Sequence, residues 1–508
     1  MKIIPTPNKA ELTGGSIDLG KIAAVAVENG SDRRITKIAV TLKREIEELC
    51  SAPVKLRACS AECTGKGCAR VRISHGEAGE GYTLDIDDGG VRIVGDGAAG
   101  AYYGVQTLRQ IIHEYGDSLP HCRIEDKPEF AERGFYHDVT RGRVPTLKQL
   151  CHIADLLAYY KINSLQLYVE DAFEFVEYDG IMTPENVLTA EEITALDDYC
   201  YDNFIELVPS LATFGHLYNL LQSDKYKHLC EMEDWKPEKM YWLEKMAHHT
   251  IDVSNEESIK LISSLIDQFI PLFRSDRFNI CCDETFDLCR GRNAGKDAGE
   301  EYFKFLMKII EHVKSRGKTV MMWGDIALSH PDKLHYIPKD TVMLNWTYVS
   351  DPDEGKVKAF ADAGLNQIVC PGTSSWNRFV EEIDRSEGNN PPCGLRREVR
   401  RARHPQYKLG RFRQHLPVQL LALRNGDRRA EGVEMLRRPH GGIRGGGKLA
   451  ALRFRRHKRD LSHTHDGPLR EKLRLDGVHV LVQREHRRGQ DHGACLRYRC
   501  RDRAYCGA

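Results

Sequence analysis

Between residues 134 and 373 the chain repeats one pattern, a short apolar stretch followed by an amphipathic run. The stretches are GFYHDV (134–139), SLQLYVED (164–171), IELVPSLA (205–212), RFNICCDE (277–284), TVMMWGDI (319–326), TVMLNWTY (341–348) and NQIVCPGT (366–373). The runs between them include residues 146–162, 189–204, 258–273 and 300–317, all with helical spacing. Strands alternating with helices specify parallel βα units and exclude all-helical and antiparallel folds. Seven such strands fall one short of a (β/α)8 barrel. The eighth is due just after residue 373.

The first 127 residues carry a different pattern. Residues 32–50 place Ile35, Ile38, Ala39, Leu42, Ile46 and Leu49 on one helical face. YTLDI (82–86) and VRIVG (91–95) flank Asp87-Asp88-Gly89-Gly90, a hairpin signal. A helix is expected over 98–115. Gly95-Asp96-Gly97-Ala98-Ala99-Gly100 matches the GxGxxG dinucleotide fingerprint. Its strand closes a hairpin and no buried strand follows the helix, so turn and packing glycines are the expectation, with no cofactor.

Composition matters because it changes where the eighth strand is due. Lys and Arg total 74, as do Asp and Glu, so the net charge is zero. Residues 391–508 hold 26 Arg and 4 Lys against 11 acids, a net of +19, so residues 1–390 carry −19. The tail has one Ile, Ile443, and none of the five Trp. Such asymmetry ordinarily points to a nucleic-acid-binding arm, but an out-of-frame reading of GC-rich DNA also yields abundant Arg. The expected organisation is an α+β domain (1–127), a catalytic α/β barrel (128–388), and an Arg-rich, disordered, out-of-frame segment (389–508). At about 150 residues per domain, 508 residues would have predicted about three. No apolar run spans a membrane, and Pro5 precedes any long apolar region, so no signal peptide is expected. Sixteen Cys, including Cys281-Cys282, are expected as reduced thiols in a cytoplasmic protein. Cys59, Cys63 and Cys68 lack paired metal-ligand spacing, so no metal is expected.

Barrel chemistry sits at the C-terminal strand ends. Here those ends carry Glu170-Asp171, His216, Asp283-Glu284, Trp323 with Asp325, Trp346 with Tyr348, and Trp376. Carboxylates move protons and indoles stack on sugar rings, so a carbohydrate site is expected. Neighbouring strand residues face opposite ways. Asp283 and Glu284 can therefore serve one substrate only where the strand's pleat breaks.

With these motifs the chain resembles glycoside hydrolase family 20, the β-N-acetylhexosaminidases. GAYYGVQTLRQII, RIEDKPEFAERGFYHDVTRG, NSLQLYVED, PSLATFGH, ICCDETFDL and MMWGDI are similar to its ordered motifs. The resemblance implies a zincin-like α+β domain before a TIM-type barrel. It also implies substrate-assisted retention, an exception to the two-carboxylate scheme. Glu284 would be the acid/base, its protonated form favoured by a neighbouring like charge, and Asp283 would orient the acetamido group. Arg133 would hold sugar hydroxyls, His216 would bond the acid/base, and Asp171 would partner His216. Trp323, Trp346 and Trp376 would wall the pocket, and Tyr348 would contact the acetamido group. DVTRGRVP and Glu170-Asp171 depart from the usual forms, which leaves the role of Arg141 and the natural substrate open.

The family's eighth-strand motif, N-T-(D/N)-W-G-D, is absent from 391–508. Shifted by one base, the codons of His404–His415 permit Ile-Leu-Asn-Thr-Asn-Trp-Gly-Asp-Phe-Gly-Asn-Ile. A frameshift between about Ser386 and Arg397 is expected, leaving weak, insoluble or inactive protein. Competing readings are a non-catalytic sugar-binding relative, a two-carboxylate retaining glycosidase using Glu170 and Glu284, and a nucleic-acid binder using the tail. Of these partners a carbohydrate is expected and a nucleic acid is not.

Overall fold

A computed structural model describes residues 1–28, 32–59, 69–141, 144–183, 186–233, 248–348, 353–372, 407–408, 470–475 and 478–483. The first part is a seven-stranded mixed sheet. Its strands are β1 (Lys9–Asp18), β2 (Ile22–Glu28), β3 (Lys55–Cys59), β4 (Ala69–His75), β5 (Tyr82–Asp87), β6 (Gly90–Gly95) and β7 (Ser118–Asp126), in spatial order β1-β7-β5-β6-β4-β2-β3. Helices α1 (Arg33–Cys50) and α2 (Ala98–Tyr115) pack on it. Ile35, Ile38, Ala39, Leu42 and Ile46 of α1 are buried as the periodicity requires, each worth about 1–3 kcal/mol. Leu49, in the last helical turn, is instead exposed.

The β5–β6 hairpin forms as expected, and β6 also pairs in parallel with β4. The GxGxxG glycines face protein backbone. A Cβ on Gly100 would sit 2.0 Å from the Gly81 carbonyl oxygen, and one on Gly97 2.7 Å from the Gly79 nitrogen. They let α2 dock on the 78–81 turn.

The βα alternation then produces β8 (Gly134–Asp138), α3 (Leu147–Tyr159), β9 (Ser164–Tyr168), α4 (Ala190–Asp202), β10 (Glu206–Val208), α5 (Glu256–Phe269) and β11 (Arg277–Asn279). It continues through α6 (Ala298–Ser315), β12 (Thr319–Trp323), β13 (Val342–Thr347), α7 (Glu354–Asp362) and β14 (Asn366–Pro371). Thr146 and Thr189 start α3 and α4 with full capping boxes to Gln149 and Glu192.

Strands β8, β9 and β10 are parallel neighbours, as are β11 to β14, and a parallel bridge between Ser210 and Asn279 joins the two groups. This is the TIM-type order. Beside β14 lies β15, only Tyr407–Lys408, parallel to Gln367–Ile368. No pairing of β15 with β8 closes the barrel among the described residues. Tyr168, Val208, Cys281, Met321, Trp323 and Leu344 fill its interior. Residues 428–508 form a separate unit, in which Arg470–Leu475 and Val478–Gln483 make a hairpin. No described helix is long and apolar enough to cross a membrane.

Candidate active site at the C-terminal strand ends

Strand β11 ends at Asn279, five residues before the sequence pattern predicts. Beyond it the backbone turns left-handed at Cys281 (φ 58°), Cys282 (φ 63°) and Glu284 (φ 52°). That conformation is rare for residues with side chains and clusters at functional sites. This is the pleat break that lets Asp283 and Glu284 face one place. His216 is also left-handed (φ 60°). Gly215 beside it permits close approach, because a Cβ there would lie 2.7 Å from the Asp283 carbonyl oxygen.

His216 is the centre of the cluster. Its Nε2 stands 3.3 Å from Asp283 Oδ2 and 3.3 Å from Glu284 Oε2, and its Nδ1 is 3.4 Å from Glu170 Oε1. Nε2 is aligned for a full hydrogen bond with neither carboxylate, so the contact is mainly one of charge. Burial lowers the pKa of His216. Asp283, then Glu170 and Glu284, overcome this and hold it well above the ordinary 6.5. Its backbone N–H donates to His249 Nδ1 at 2.8 Å. Burial and the charge of His216 push His249 down to about 4, so it accepts as a neutral ring. Asp287 fixes that ring's segment by accepting from the backbone N–H groups of His249 and Thr250, both at 3.1 Å.

Glu170 accepts from Tyr168 Oη at 2.6 Å and Arg141 Nη2 at 3.1 Å. Burial opposes its ionisation, but His216 and then Arg141 and Tyr168 outweigh burial and bring it to about 2. Asp171 is not the acid facing His216. It accepts from the Asn219 side chain, while the neighbouring Glu170 takes the imidazole. Two adjacent carboxylates can exchange this role without any change in sequence pattern.

Arg133 lies outside the site. It precedes β8, at the opposite end of the barrel from Glu284, and pairs with Glu80 at 2.9 Å. Its guanidinium also donates to the carbonyls of Lys161 and Phe130. It joins the two domains. Arg141, which follows β8, is the guanidinium at the mouth, bonded to Glu170 and Asp138 and lying 4.6 Å over the Tyr168 ring. The signal for it was position: Arg133 stands before the first barrel strand and Arg141 after it.

Trp323 is 8% exposed and meets Tyr136 edge-on at 4.9 Å, so it lies inside the barrel. Trp346 and Tyr348 pair at 4.5 Å, and Tyr348 keeps 37% exposure. Trp376 lies outside the described residues. Asp325, one of the strand-end acids to which the sequence gives no role, reaches the expected acid/base. Its Oδ2 accepts from the Glu284 backbone N–H at 3.0 Å. Burial first, then the charge of Asp283, pushes its carboxyl up to about 7.

His216, Asp283 and Glu284 also place potential ligand atoms within 4.8 Å of one another, close enough for one cation. Cys281 and Cys282 are buried free thiols, raised by burial. Cys63 and Cys68 lie outside the described residues, as does the side chain of Cys59.

Residues 1–127 match the family profile "Glycosyl hydrolase family 20, domain 2", and residues 130–393 match "Glycosyl hydrolase family 20, catalytic domain". A beta-hexosaminidase of Porphyromonas gingivalis is 28% identical over 334 residues, covering 58% of this chain and 40% of that protein. Hexosaminidase D of Bos taurus is 24% identical over 265 residues, covering 48% and 73%. The chain thus spans less than half of the first of these relatives. Chitobiase of Flavobacterium johnsoniae superposes with a TM-score of 0.59 at 21% identity, covering 72% of this chain and 58% of that one. A β-N-acetylhexosaminidase from Bacteroides fragilis gives 0.58 at 17%, covering 73% and 76%.

Proposed function

The chain belongs to glycosyl hydrolase family 20, and from that premise we propose that it removes terminal β-linked N-acetylhexosamine from a glycan or glycoside. One observation carries the reading: His216 Nε2 holds two carboxylates, Asp283 and Glu284, at equal distances of 3.3 Å where the strand's pleat breaks.

In the proposed reaction the acetamido carbonyl oxygen of the substrate attacks its own anomeric carbon. The glycosidic C–O bond breaks and Glu284 gives its proton to the leaving oxygen. The oxazolinium so formed is opened by water, whose proton returns to Glu284. Asp283 accepts from the acetamido N–H. Its Oδ1 is buried with no hydrogen-bond partner, the atom to expect for an acceptor whose donor arrives with substrate. Arg141 takes a sugar hydroxyl with its planar fork. Trp346 and Tyr348 supply an aromatic wall. Glu170 is already engaged by Tyr168, Arg141 and His216, which favours the substrate's amide over Glu170 as the nucleophile.

Glu284→Gln is expected to lower kcat on an aryl N-acetyl-β-glucosaminide by about 10²–10⁴-fold with KM little changed. An unchanged kcat would remove Glu284 from the chemistry. We further propose that residues 389–508 are translated out of frame, so that the eighth strand and its pocket wall are incomplete and turnover is weak. Sequencing the coding DNA around codon 390 tests this. A single frame, intact in the source genome, contradicts it.

A further inference from the structure

Left-handed backbone at residues with side chains is strained and persists only where surroundings impose it. The run Ile280–Glu284 is braced at nearly every peptide group. Thr213 Oγ1 donates to the Ile280 carbonyl at 2.6 Å, the Trp323 amide to the Cys281 carbonyl at 2.9 Å, and Tyr302 Oη to the Cys282 carbonyl at 2.8 Å. The last brace falls on the reacting residue itself, where the Glu284 amide donates to Asp325 Oδ2 at 3.0 Å.

Asp325 is well placed to hold that amide firmly. A single residue separates it from β12, and this intervening Gly324 is pinned to its neighbours. The Gly324 amide donates to the Leu344 carbonyl at 3.0 Å, and a Cβ on Gly324 would meet Phe360 Cζ at 2.5 Å. The other carboxyl oxygen, Oδ1, is buried with no hydrogen-bond partner. A carboxyl kept in such a place, with burial and Asp283 both disfavouring its charge, is costly for packing alone.

We propose that Asp325 is a positioning residue: its carboxyl fixes the backbone of Glu284 and so aims the acid/base at the leaving oxygen. The proposal rests on Glu284 being the acid/base. Asp325 itself acts through Glu284.

The test compares Asp325→Ala, which removes the acceptor, with Asp325→Asn, which keeps one. Three readouts are taken on the full chain: kcat and KM on an aryl N-acetyl-β-glucosaminide, the pH profile of kcat, and amide exchange of the peptide spanning 280–286. The Ala variant should lose at least about tenfold in kcat with KM within about twofold, as expected for misaimed chemistry. Its pH profile should shift and its 280–286 amides should exchange faster. The Asn variant should recover kcat to within about threefold and restore exchange protection. Asp325→Ser, whose oxygen falls short of the amide, carries the same expectations as Ala if Ala does not fold. Unchanged kcat or unchanged exchange in the Ala variant overturns the proposal, as does an Asn variant as impaired as Ala. A starting chain that cleaves nothing reflects the incomplete eighth strand and leaves Glu284 untouched; amide exchange alone then decides, and unchanged exchange in the Ala variant overturns the proposal.

Discussion

His216 and Glu170 stabilise each other in opposite protonation directions. Glu170 is depressed to about 2, so its contribution is present above its ordinary 4.5 and is lost as pH falls toward 2. His216 is raised, so its contribution is present below 6.5 and is lost as pH climbs through its elevated value. The pair therefore stabilises most between those ordinary values. Glu170→Gln should cost up to about 3 kcal/mol near pH 5.5, and the deficit should shrink as pH drops below 4.5. Thermal melts of both proteins across pH 2.5–8 would measure it, and a deficit independent of pH would show that the pair is not ionic. Which acid faces His216 was not legible in the sequence. Glu170 and Asp171 are adjacent, and only the chain's path after Tyr168 decides between them. Arg133 was misplaced for a different reason. The resemblance assigns it the sugar hydroxyls, but strand polarity separates the two ends of a barrel and puts Arg141, not Arg133, at the mouth.

At the level of elements, helices were more legible than strands. Helical spacing put α1 to α6 within a few residues of their observed bounds. Strand ends were less so, because an apolar run such as Asn279–Cys282 reads as strand while its hydrogen bonds go elsewhere. The left-handed turns at Cys281, Cys282 and Glu284 have no glycine to announce them. They are imposed from outside, by side chains on β10's following loop, α6 and β12's end. Tyr302→Phe deletes one such brace, the hydroxyl on the Cys282 carbonyl. It should destabilise the fold by about 1–3 kcal/mol, the cost of a buried acceptor left unpaired, and lower kcat more than it raises KM. Urea unfolding alongside steady-state kinetics would check both. A variant with normal kcat would mean that the remaining braces suffice.

At the scale of the molecule, two parts of the sequence meet at Arg133. Its bond to Glu80, with Lys161 buried against Tyr82 and Asp126, ties the N-terminal sheet to the bottom of the barrel. Arg133→Ala should cost about 1–3 kcal/mol by removing the guanidinium's bonds to Glu80 and to the Lys161 and Phe130 carbonyls, with KM unchanged. An increased KM with unchanged stability would return Arg133 to the sugar site. The barrel's strand order was legible from the alternation. The structure adds a two-residue parallel strand, Tyr407–Lys408, where the shifted frame would place an eighth-strand motif. The central claim is that the substrate's own acetamido group does the nucleophilic work beside Asp283 and Glu284. The most direct measurement is aryl release by the soluble full chain from an N-acetyl-β-glucosaminide and from the matching β-glucoside. The account predicts slow release from the first and none from the second. Equal release from both, or none from either by a folded chain, would contradict it.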